Sequence, residues 1–190
     1  INPVRDASYF ERRPESTKFL QENAGLHRVF PPVYGDDVEN FVDNIPIIHD
    51  LYSVRGHMSE LVMERYKDFV VALPKSPALL NLAGVRYVLL EETPVYPGFA
   101  SIPTNSGPGI HENTTVLPRA FIVHRAQVIL GEQAVLERML RDDFDPGQTV
   151  ILEQEPAQGT GQTIVPAETD LDGAEIKLYS PQRVVIQAEL

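Results

Sequence analysis

Two hydrophobic rhythms run through this chain, and together they restrict its fold class. In "HMSELVMERYKDFVV", Met58, Leu61, Val62, Tyr66, Phe69 and Val70 recur at helical spacing, which predicts one apolar helix face. Near the other end, Ile176 and Leu178 alternate with Glu175, Lys177 and Tyr179. Val184, Ile186, Ala188 and Leu190 alternate with Arg183, Val185, Gln187 and Glu189. That period of two predicts paired strands, with Ser180-Pro181-Gln182 as a three-residue hairpin loop. A chain holding both rhythms in separate stretches belongs to neither the all-α nor the all-β class.

Further elements fill in the order. Pro14, Glu15 and Gly25 bracket a helix over about 14–24 that presents Phe19 and Leu20. "LHRVF" reads as a short strand. Ser76, Pro77 and Gly84 bracket a short helix, and "VRYVLLE" reads as a buried strand. A helix over about 132–142 turns Val135, Leu136, Met139 and Leu140 inward. Asp145-Pro146-Gly147 makes a turn before the strand "TVILE". "LPRAFIV" reads as a central strand over 119–125. Pro118 stands at its first position, where the missing N–H does no harm. Arg119 is expected to reach a carboxylate or the sheet rim. Residues 93–111 carry four prolines and three glycines and read as one long loop. The expected fold is α+β: a mixed sheet with about four helices packed mainly on one side. It forms a single domain over 1–190 with a β-rich part from about 148.

Composition removes several functions. The chain has no cysteine, which excludes disulfides, thiolate metal sites and cysteine nucleophiles. A net charge of -11 repels phosphate backbones, so no nucleic-acid partner is expected. No apolar run approaches the roughly 20 residues that span a bilayer. The phosphate-loop, dinucleotide and nucleophile-elbow motifs are absent, as is the H-E-x-x-H zinc motif.

The remaining candidates are local. His27, His49, His57, His111 and His124 are dispersed, so neither a metal nor a cofactor is expected. The acidic run Asp36, Asp37, Glu39 and Asp43 lacks calcium-loop spacing and reads as a solvated loop. Asp142, Asp143 and Asp145 follow a helix end, where polar residues collect in any case. In "NIPIIHDLYSVRGH", His49 and Asp50 are adjacent, and Tyr52, Arg55 and His57 surround a turn at Gly56. These five residues form the candidate surface for a sugar or peptide. Asn113-Thr114-Thr115 is a glycosylation-type sequon, a pattern short enough to arise by chance.

Several stretches share an order and spacing: "FLQENAGLHRVF", "NIPIIHDLYSVRGHMSELVMERYKDFV", "LLNLAGVRYVLLEE", "HENTTVLPRAFIVHRAQVI", "FDPGQTVILEQEP" and "AEIKLYSPQRVVIQAEL". Together, over roughly residues 9–190, they resemble the extracytoplasmic region of the YfhO-type family of bacterial multi-spanning membrane proteins. The resemblance implies the outer domain of a lipid-linked-sugar glycosyltransferase of the large integral-membrane class, with an accessory role in acceptor recognition or in shaping the active-site entrance and no catalysis of its own. It implies the parent transmembrane region as a partner, and a glycan or polyprenyl-phosphate sugar as acceptor or donor. In that class the catalytic carboxylate lies in the first loop after the first transmembrane helix. That loop has no counterpart here, so no catalytic residue carries over. One departure is His57 after Gly56, where Tyr is common in the family. Two other readings compete. One is a free-standing extracytoplasmic ligand-binding or protein-interaction module. The other is a hydrolase using His49 or the 142–145 carboxylates. Ile1 is not Met and Leu190 falls inside a predicted strand, so a piece of a longer protein is expected.

Overall fold

A computed structural model of the chain describes residues 13–31, 45–56, 63–90, 97–106, 109–154 and 173–188. Among these lie five α-helices and nine strands, in mixed order, and the fold class is α+β. The chain divides into two compact units. One is Ile1–Val70 with Ala83–Val116. The other is Val71–Leu82 with Leu117–Leu190.

The first unit is built on one mixed sheet. Helix α1 (Glu15–Asn23) buries Leu20 on the side that also covers Ala24. Its N-terminus lacks a local side-chain cap. The cap comes instead from 91 residues away, where Ser106 Oγ accepts the Glu15 N–H at 2.9 Å. The Ser106 carbonyl accepts the Ser16 N–H at 3.2 Å. The Glu15 carboxylate in turn accepts the Asn105 N–H at 2.7 Å. Gly25 leaves the helix at φ +53, a backbone region open to glycine.

Strands β1 (Arg28–Phe30), β2 (Tyr52–Ser53), β3 (Val85–Leu89), β4 (Phe99–Ile102) and β5 (Ile110–Asn113) stand in the order β2-β1-β3-β5-β4. The β2-β1-β3 half is parallel and the β3-β5-β4 half antiparallel. Strand β3 sits at the centre, and its near-continuous apolar run is what a strand buried on both faces requires. Leu20, Ala24, Val29, Leu51, Tyr87, Leu89 and Ile110 form the core. Phe19 packs edge-on against Tyr87 at 5.6 Å between ring centres, and the orthogonal rings suit the aromatic quadrupole. Helices α2 (Ile45–Ile48) and α3 (Glu64–Ala72) complete the elements that begin in this unit.

The second unit holds a short 3₁₀ turn (Leu73–Lys75), helix α4 (Pro77–Leu82), strand β6 (Arg125–Val128), helix α5 (Glu132–Met139) and strand β7 (Thr149–Leu152). Strands β6 and β7 pair in parallel, with α5 as the crossover between them. Strands β8 (Ala174–Ser180) and β9 (Arg183–Ala188) form a separate antiparallel hairpin.

Several expectations are corrected. Residues 93–111 are not one loop: Phe99–Ile102 and Ile110–Asn113 pair as strands. Pro97 and Pro103 fall outside the two strands, so these breakers bound β4 without interrupting it. The strand expected over 119–125 begins only at Arg125, and Pro118 and Arg119 lie in the irregular segment before it. Branched and aromatic residues there met the propensity for a strand but found no neighbour to pair with. Among the described residues, Arg119 meets a phenol and not a carboxylate. Its Nη2 donates to the Tyr179 hydroxyl at 2.8 Å, and its guanidinium stands 5.6 Å from that ring's centre. The β8–β9 loop has two residues, not three, since Ser180 pairs directly with Arg183. In α3, Val70 is buried as expected, whereas Tyr66 is exposed and uses its hydroxyl on the Val54 carbonyl at 2.6 Å. Met58, Leu61 and Val62 lie outside the described residues.

Candidate functional site

The segment from His49 to Arg55 leaves a one-turn helix and enters an edge strand. Its backbone is fixed by hydrogen bonds from the His49 and Leu51 N–H groups to the Pro46 carbonyl, at 3.1 and 2.9 Å. The Asp50 N–H adds a bond to the Ile47 carbonyl at 3.2 Å. This closure drives Asp50 to φ +56, the only non-glycine positive φ among the described residues. Aspartate tolerates that region better than most side chains, because its short carboxylate bonds locally. Leu51 then turns into the core, and Tyr52 and Ser53 join the sheet.

His49 and Asp50 face different surroundings. His49 is buried, while Asp50 is exposed. The His49 carbonyl accepts Gln21 Nε2 at 3.0 Å, which ties the turn to α1. Burial pushes the imidazole below its ordinary range, and the charge of Arg13 pushes the same way. The Asp50 carboxylate opposes both. Adjacent in sequence, the two are split between interior and surface.

What remains outside is Asp50, Tyr52 and Arg55. Tyr52 is 36% exposed and Arg55 half-buried. The Ser53 hydroxyl accepts the Arg55 N–H at 3.1 Å and donates to the Arg55 carbonyl at 2.7 Å, which sets the bend after the strand. Ile47 and Ile48 on α2 are exposed at 69% and 50%. A carboxylate, a phenol, a guanidinium and two aliphatic side chains therefore share one turn. Such a set can hydrogen-bond hydroxyl groups and pack against an apolar ring face. His57, the fifth candidate, lies outside the described residues.

The carboxylates of the 142–145 segment have local duties. Arg138 and Arg141 hold Asp143 at 3.2 and 3.1 Å, and the bond from Arg141 is the main cause of its lowered pKa. Asp145 Oδ1 accepts the Gly147 N–H at 2.8 Å and shapes the expected turn. Among the described residues, no group of three or more His, Asp or Glu side chains could hold a metal ion. No described helix is long and apolar enough to cross a membrane.

Two residues gain meaning only from the fold. Asn113, read first as part of a sequon, is buried on β5. Its Nδ2 donates to the Val85 carbonyl at 3.0 Å, and its Oδ1 accepts from the Thr115 N–H and hydroxyl at 3.1 and 2.9 Å. His111, read first as an isolated histidine, is buried two residues away on the same strand. The signal that could have found both is the pairing of 99–102 with 110–113, which the surrounding prolines and glycines hide. Comparison with protein-family models, with curated proteins and with solved structures found no match to this chain.

Proposed function

We propose that the chain is an extracytoplasmic recognition domain of a polytopic bacterial membrane protein of the YfhO type. Its role is to bind the glycan or polyprenyl-phosphate sugar handled by a membrane-embedded glycosyltransferase centre. The observation that carries this reading is the exposed pair Asp50 and Tyr52 beside the half-buried Arg55, on a turn with a fixed backbone. Polar side chains held ready on a rigid turn lose little entropy when they bind a hydroxyl-rich ligand. The family resemblance supports the ligand class, and the negative net charge agrees with a partner that is not a nucleic acid.

Titration of the ¹⁵N-labelled chain with oligosaccharides and with a short-chain polyprenyl-phosphate sugar tests it. Amide shifts should centre on residues 49–56 and disappear in a Tyr52→Ala, Arg55→Ala double variant that keeps its far-UV CD spectrum. Saturating ligand without shifts in that turn would sink the reading. The exposure of Ile47 and Ile48 favours one alternative, a free-standing module that docks a protein. The source gene separates the two: apolar spans of about 20 residues beside this segment support the membrane reading.

A further inference from the structure

The hairpin of β4 and β5 sets Ser101 directly opposite His111. Ser101 Oγ lies 3.1 Å from His111 Nδ1, and His111 Nε2 lies 3.2 Å from the Leu90 carbonyl oxygen. A carbonyl can only accept, so the Nε2 bond places the ring proton on Nε2. Nδ1 then carries the lone pair and takes the Ser101 hydroxyl proton. His111 is 4% exposed, whereas Ser101 is exposed on β4, at the end of the strand order. The approach of the Leu90 carbonyl is made possible by the missing side chain of Gly109. A Cβ at Gly109 would stand 2.5 Å from that oxygen. The Gly109 carbonyl accepts the Leu90 N–H at 3.1 Å, which holds the two strands in this register.

An exposed hydroxyl, a buried imidazole with its lone pair on that hydroxyl, and an acceptor that fixes the imidazole tautomer are the parts of an activated serine. We propose that Ser101 is a nucleophile and His111 its general base, acting on carboxylic esters. Ser101 Oγ adds to the ester carbonyl carbon as its proton passes to Nδ1. The resulting imidazolium keeps its Nε2–H on Leu90. When the intermediate collapses, the bond to the leaving alkoxide breaks and Nδ1 returns the proton to it. Water then releases the acid from the acyl-serine by the same relay. This site is independent of the His49–Arg55 turn, and either can stand without the other.

A buried histidine also needs partners for purely structural reasons, so the test reads reactivity. A fluorophosphonate probe is offered to the folded chain, and the labelled peptide is found by mass spectrometry. The probe should form a phosphorus–oxygen bond at Ser101 with loss of fluoride, and Ser101→Ala should remove the label. His111→Gln should slow labelling by about 10²-fold, the usual weight of a general base. An unlabelled folded chain, or equal rates in wild type and H111Q, overturns the proposal. Should H111Q fail to fold, the pH profile of wild-type labelling decides. A rise that reaches a plateau supports the base, and a rate that tracks hydroxide throughout overturns it.

Discussion

Asn113 has the most to lose from a single substitution. It is 1% exposed and serves a carbonyl, an amide and a hydroxyl at once. Asn113→Ala removes a buried hydrogen bond to the Val85 carbonyl and should lower stability by about 2 kcal/mol, read as a shift in the urea midpoint at constant m-value. The same bonds occupy the amide nitrogen that a glycan would need. Expression in a glycosylating host should therefore leave the mass of the folded chain unchanged. His49 supplies a pH dependence. Its folded pKa is below its ordinary value of 6.5, so the unfolded chain binds more protons between the two values. Stability is full above pH 6.5, falls as pH drops from there to the folded value, and is level with respect to this residue below it. His49→Gln should remove that slope from a series of denaturation curves, and an unchanged slope would assign it elsewhere. Arg119, expected to reach a carboxylate or the sheet rim, donates to the hydroxyl of Tyr179 on β8. Replacing it with Ala should cost about 1 kcal/mol for the lost hydrogen bond.

At the level of elements, the sequence was most informative where burial and periodicity agree. Helix α1, strand β3 and the β8–β9 hairpin are legible because Leu20, the Val85–Leu89 run and the alternation through Ile176 and Ile186 each carry their own pattern. It was least informative where pairing alone makes the structure. Phe99–Ile102 has no alternation that survives Pro97 and Pro103, and becomes a strand because β5 lies beside it. The reverse happened at 119–124, where residues of high strand propensity do not join a strand. The turn at 49–56 was visible as a polar cluster, but the division of His49 from Asp50 was not, since a positive φ leaves no mark in composition. The hairpin β8–β9 makes a prediction of its own. It is a two-stranded sheet whose Leu178, Val184 and Ile186 are exposed at 44%, 49% and 51%. Isolated pairs of strands are marginal in water. Amides of 174–188 should exchange with deuterium much faster than those of β3 and β5, and equal protection would mean that another surface covers the hairpin.

For the chain as a whole, charge and connectivity matter more than any one contact. With a net charge of -11, it should not retard duplex DNA or RNA in a gel at low salt, where electrostatic binding is strongest. The two units are also not consecutive along the chain. The first is interrupted by residues 71–82 and resumes at Ala83. Its central strand β3 pairs with β1, some sixty positions earlier, before β5 and β4 can be added. Leu20, Ala24, Val29 and Leu51, all before Ala83, share one core with Tyr87, Leu89 and Ile110, all after it, so we expect the earlier residues to stay incompletely covered on the ribosome until β3 has emerged. Chaperone demand in the cell should peak over that interval, and a ribosome stalled just before Ala83 should hold a chain that proteases cut freely.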